Sequence, residues 1–176
     1  MNVSGINFES IADGDGVRVV YISGCLHNCK GCHNPTSHSF TAGRPFTEEL
    51  QREVIDYIKK TPFISGLTLS GGDPMYSASE LVPFVTALKE DIKDISVWIY
   101  SGFSYEKILE NSEMLSLLSL CDVLVDGEFI LEQRDMTLCY KGSSNQRIID
   151  IPKSLSSGEI ILWKSEVVAV EQNCKV

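Results

Sequence analysis

A chain of 176 residues with 43% hydrophobic and 22% charged residues is long enough for one domain with its own core. Its 15 Lys and Arg against 24 Asp and Glu give a net charge of −9, and no basic cluster exceeds Lys59-Lys60, which excludes binding built on neutralising nucleic-acid phosphates. The longest mainly apolar stretch, residues 114–125, is broken by serines, Cys121 and Asp122 and falls short of the roughly 20 residues a membrane helix needs. Acidic Glu9, Asp13 and Asp15 occupy the place of a basic secretory leader, so the expectation is a cytoplasmic protein without a membrane segment.

In chain order, residues 17–23 (VRVVYIS) form a β-branched and aromatic run that reads as a strand, entered through the turn Asp13-Gly14-Asp15-Gly16. A long polar loop, 24–43, follows. Thr47 has the character of a helix N-cap, with Glu48 and Glu49 in the first turn and Leu50, Val54 and Ile58 on one face. Lys59 and Lys60 close that helix and Pro62 lies beyond it. Residues 66–70 predict a strand ending in Gly71-Gly72-Asp73-Pro74, then a helix from about Ser79 with Leu81, Val82, Val85 and Leu88 facing inward. The pattern repeats with a strand at 95–100 ending at Ser101-Gly102, a helix over 105–119, and a strand at 122–125 ending at Asp126-Gly127. Later strands are expected at 147–151 and 160–163.

Strands alternating with helices imply parallel strands whose C-terminal ends gather at one edge of the sheet. The cysteine loop, the Gly-Gly turn, Ser101-Gly102 and Asp126-Gly127 all follow strands, so they are expected at the edge where α/β proteins place a single active site. No internal repeat or linker interrupts the chain, and residues 1–176 read as one domain.

Six cysteines in a chain of this kind point to metal ligation, catalysis or small buried hydrophobes before a disulfide framework. Cys25, Cys29 and Cys32 fall within eight residues, whereas Cys121, Cys139 and Cys174 are scattered and are read as non-ligands. Three thiolates at this spacing can wrap one metal centre. One reading is a zinc site completed by His27, His33, His38 or a distant cysteine; the other is an iron–sulfur cluster with one iron left open, favoured because no second ligand pair exists. A Gly-Gly-Asp-Pro run is by itself a turn former.

Cys25-Leu26-His27-Asn28-Cys29-Lys30-Gly31-Cys32 nevertheless resembles the CxxxCxxC arrangement of the radical S-adenosylmethionine enzymes, and Gly71-Gly72-Asp73-Pro74 resembles their GGE/DP loop. The resemblance implies a minimal, incomplete (β/α) barrel, open on one side. It implies one 4Fe-4S cluster held by Cys25, Cys29 and Cys32, with S-adenosylmethionine on the fourth iron and reductive cleavage to a 5′-deoxyadenosyl radical. By the same resemblance Gly31, His33, Gly71, Gly72 and Asp73 are expected to bind the cofactor, with Asp73 or nearby carbonyls accepting from its ammonium. Gly31 departs from the aromatic usual before the third cysteine, which leaves the adenine contact unassigned, with His33 as one candidate to supply it by stacking or through its backbone. His33 and His38 are equally consistent with a solvated loop.

Asp13-Gly14-Asp15-Gly16-Val17-Arg18 leading into Ser23-Gly24-Cys25, with His33-Asn34-Pro35, is similar to the entry of glycyl-radical activating enzymes. The motifs at 122–129 and 142–150 look like those of the activators of anaerobic ribonucleoside-triphosphate reductase. The implied partners are the glycine-bearing loop of that reductase's large subunit and an electron donor such as flavodoxin. An activator of another glycyl-radical enzyme, a radical enzyme acting on a small molecule and a zinc-binding interaction module are the alternatives. Asp126, Asn145 and Arg147 are read either as near the site or as turn formers. Trp98 and Trp163 are read as core.

Overall fold

The computed structural model describes residues 1–10 and 17–164, so the Gly-rich turn at 13–16 and Cys174 lie outside the described residues. The chain opens on β1 (Asn2–Ser10), which pairs antiparallel with β2 (Val17–Ile22). β1 was not anticipated: its sequence mixes polar residues and Gly5 into the alternation, and its register shifts between Val3 and Gly5. The two-residue β3 (Arg44–Pro45) pairs with the start of β1 after the cysteine loop.

The expected alternation of strand and helix then appears. Thr47 caps α1 (Glu48–Lys60) by accepting from Leu50 N at 3.3 Å, and β4 (Gly66–Gly71) follows. A 3-10 turn at Pro74–Ser77 leads into α2 (Ala78–Asp91), one residue earlier than expected, and β5 (Ser96–Tyr100) comes next. The single helix expected over 105–119 is two: α3 (Tyr105–Leu109) and α4 (Ser112–Leu118). Asn111 causes the break, because its Oδ1 accepts from Glu113 N and Met114 N, both at 3.0 Å, and starts a new helix.

β6 (Val123–Asp126) and β7 (Arg147–Asp150) complete a seven-stranded sheet in the order β3-β1-β2-β4-β5-β6-β7, open between its edge strands. β2, β4, β5 and β6 are parallel, as expected. β7 departs from that expectation and runs antiparallel to β6, since residues 127–146 return the chain without a crossover helix. Asp150 ends it by capping α5 (Ile151–Ser157), and the stretch expected as a strand at 160–163 makes one isolated bridge, Leu162 to Ile149.

Side-chain alternation along the parallel strands buries both faces of the sheet. Val20, Ile22, Leu67, Leu69, Val97, Ile99, Leu124 and Ile149 pack against α1, α2 and α4 in the main core. At roughly 1.5–3 kcal/mol per fully buried aliphatic side chain, this layer dominates stability. Arg18 is buried on the same side, with its guanidinium 3.7 Å from the centre of the Tyr57 ring on α1. On the other face Trp98, Val123, Val125 and Ile148 form a smaller cluster against Tyr100, Tyr140 and Trp163. Among the described residues no helix is long and apolar enough to cross a membrane.

Candidate metal centre

At the end of β2 the backbone leaves the sheet at Gly24, whose N–H donates to Ser37 O (2.7 Å), while Cys25 N donates to His38 O (3.1 Å). These bonds close the start of the cysteine loop onto its end at the 3-10 turn Pro35–His38. Cys25, His27 and Cys29 are partly buried while Leu26, Asn28 and Lys30 are exposed, so alternate residues are withdrawn from solvent. A turn closed by Cys32 N donating to Cys29 O (3.1 Å) brings the third thiol back, and Asn34 N donates to Cys32 Sγ at 3.4 Å.

The three thiols are free and line a single cavity of about 700 Å³. Burial pushes the Cys25 and Cys29 thiols above the usual range, a cost that a bound metal offsets by displacing their protons. Each of these thiols can give up its proton to become a thiolate ligand. Of the other described cysteines, Cys121 is in the core, and Cys139 is disulfide-bonded, contrary to the expectation that the cysteines form no disulfide. Nε2 of His38, a residue on the wall of the cavity, is buried without a hydrogen-bond partner and could accept one from a bound group.

The second wall comes from the end of β4. A Cβ on Gly71, where φ is +104°, would lie 2.5 Å from Ile22 O, and one on Gly72 would lie 2.5 Å from Gly24 O and 2.8 Å from Ser37 O. The two backbones therefore meet directly, with Gly72 N donating to Ile22 O (2.7 Å) and Asp73 N to Gly24 O (2.9 Å). Only glycine permits this approach.

Of the residues expected to bind the cofactor, His33, Gly71 and Gly72 line the cavity, and His33 lies edge-on to Phe129 with ring centres 6.2 Å apart. Gly31 and Asp73 stand outside the lining. A Cβ on Gly31 (φ +75°) would lie 3.0 Å from Leu131 Cδ1, so Leu131 occupies the space an aromatic would need there. Asp73 is 1% exposed, and its carboxylate already accepts from Met75 N (2.9 Å), Ser101 Oγ (3.0 Å), Gly102 N (2.9 Å) and His27 Nε2 (2.8 Å). That last bond, with burial opposing it, raises the His27 pKa. The far wall, with Tyr100, Met136, Leu138, Tyr140 and Gln146, was not anticipated. Most of it belongs to the segment between β6 and β7, whose polar and apolar residues follow no period.

Asp126, Asn145 and Arg147 are ties between loops. Arg147 binds the buried Asp126 carboxylate, which also accepts from Tyr105 N (2.8 Å), and reaches Glu106 with two bonds of 3.0 Å. Asn145 Nδ2 donates to Glu128 O, and Gln146 Nε2 to Gly127 O, both at 2.9 Å. The Arg147 guanidinium lowers the Glu106 pKa from 4.5 to about 2. A depressed carboxylate stabilises the fold above its unfolded value and loses that effect as pH falls through its folded one. Glu106→Gln is thus expected to lower stability by under about 1 kcal/mol at pH 7, because Glu106 is largely exposed. The gap between parent and variant in denaturant melts should narrow from pH 4.5 downward.

A three-cysteine loop and a diglycine strand end share one cavity, and the family match makes this an iron–sulfur protein. The family model described as "4Fe-4S single cluster domain" matches residues 12–149, which include all three cysteines. The chain is 39% identical over 142 residues to the anaerobic ribonucleoside-triphosphate reductase-activating protein of Haemophilus influenzae, covering 78% of this chain and 90% of that one. The protein of the same name in Escherichia coli K12 is 31% identical over 140 residues (77% and 90%), and that of Enterobacteria phage T4 is 33% identical over 151 residues (84% and 93%). The chain belongs to the family of anaerobic ribonucleoside-triphosphate reductase-activating proteins and contains a 4Fe-4S single cluster domain.

Proposed function

We propose that this chain cleaves S-adenosylmethionine with one electron and uses the resulting radical to take a hydrogen atom from one glycine of anaerobic ribonucleoside-triphosphate reductase. The products are methionine, 5′-deoxyadenosine and a glycyl radical on the partner; the electron comes from an external donor such as flavodoxin. The observation that carries the reading is the shared cavity of about 700 Å³ between Cys25, Cys29 and Cys32 on one side and Gly71-Gly72 on the other. That volume suits a nucleoside-sized ligand beside a cluster.

The cluster, when bound and reduced, supplies the electron that breaks the sulfonium bond. Cys25, Cys29 and Cys32 would hold it through their thiolates, beside the space in which the cofactor's methionine end would bind. The carbonyls of the Gly71-Gly72 strand end accept from the ammonium, and His33 beside Phe129 packs against the nucleoside. Residues 1–176 act as one domain, a minimal (β/α) barrel whose unclosed side admits the partner's glycine loop, and the site of action is the cytoplasm.

Anaerobic incubation of the loaded protein with reductase, S-adenosylmethionine and a reductant tests this. A glycyl doublet in the EPR spectrum is expected, with 5′-deoxyadenosine accumulating only when the reductase is present. A fully loaded cluster that yields neither rules the reading out.

A further inference from the structure

His27 lies between the first two cysteines, and its side chain is 8% exposed although Leu26 and Asn28 on either side face solvent. Its Nε2 is 2.8 Å from Asp73 Oδ2 after β4, and its Nδ1 is 3.4 Å from Glu128 Oε1 after β6. The ring sits edge-on to Phe103 after β5, with centres 4.6 Å apart, and a Cβ on Gly102 would lie 2.5 Å from His27 Cδ2. One imidazole therefore touches the loops that follow three successive parallel strands.

We propose that His27 is a positioning residue that fastens the Cys25–Cys29 segment to the Gly71-Gly72 edge, with Asp73 as its anchor. The inference rests on the reading above and reassigns Asp73 within it. Both carboxylate oxygens of Asp73 are already used by four donors from three loops, behind the cavity wall. At 1% exposure the carboxylate could meet a ligand's ammonium only if the loops it ties together opened. Through His27 the carboxylate instead sets how the first two cysteine ligands stand relative to the strand end that receives the cofactor. Removing a hydrogen-bonded partner that orients metal ligands typically costs about 10–100-fold in metal affinity or activity, and a loss of the same order is expected for the cofactor that sits against them.

The test uses anaerobically reconstituted full-length parent, His27→Ala and His27→Gln. The readouts are the dissociation constant for S-adenosylmethionine and the change it produces in the EPR spectrum of the reduced cluster. His27→Ala is expected to bind about 10–100-fold more weakly, with a diminished spectral change. His27→Gln, whose amide N–H can reach Asp73 Oδ2, should recover most of both. An alanine variant with the parent's affinity and spectral response overturns the inference, as does a glutamine variant no better than alanine. A parent with a full cluster and no affinity for S-adenosylmethionine overturns the functional reading itself.

Discussion

Cys29→Ala is expected to abolish cluster assembly and, with it, every trace of glycyl-radical formation. The parent, reconstituted anaerobically, should hold about four iron and four sulfide per chain, the content of one 4Fe-4S cluster. The variant should fall to near zero after desalting, because a cluster held by only three protein thiolates has no spare ligand. Folding is the control. Cys29 is only partly buried and sits in a loop, so the apo-protein's stability should change by about 0.5 kcal/mol or less. Cys121→Ala gives the opposite contrast: a fully buried thiol, removed from the core beneath the sheet, lowers stability while iron content stays at the parent's level. Full iron and sulfide in Cys29→Ala would remove Cys29 from the ligand set.

Gly72→Ala is expected to separate the two walls of the cavity. The added methyl would stand 2.5 Å from Gly24 O and 2.8 Å from Ser37 O, both backbone atoms, so no side chain can swing aside to make room. The cysteine loop and the β4 end must part, straining the bond from Asp73 N to Gly24 O. Overpacking of this kind costs about 1–3 kcal/mol. If the strain falls wholly on the ligand-bound arrangement, S-adenosylmethionine affinity drops about 10–100-fold; the remainder appears as a lower melting temperature. Calorimetric titration of the loaded protein, paired with thermal melts of the apo-protein, measures both parts. An unchanged affinity and an unchanged melt would mean that the close approach at Gly72 has no functional weight.

That the cysteine loop is a metal site was legible because short-range spacing carries it, three thiols within eight residues lying within reach of one centre almost however the loop folds; which metal was not, and came from the family resemblance. The α1 cap at Thr47, the four parallel strands and the gathering of their C-terminal ends were legible for a related reason, since period, capping and β-branched runs are local signals. Asn111 shows where local reading stops. Its side chain could have been an exposed helix residue, and its hydrogen bonds to Glu113 N and Met114 N make it a helix start.

By itself, the sequence determined the α/β pattern, the gathering of three cysteines in one loop and the place of the glycine pair at a strand end. The tertiary structure alone decided that β7 runs antiparallel, that residues 127–146 build the far wall, and that Asp73 faces His27 from 46 positions away. A hydrogen bond between distant loops depends on where separate strands end in space. That placement is set by the packing of the whole sheet against its helices, and no local spacing encodes it.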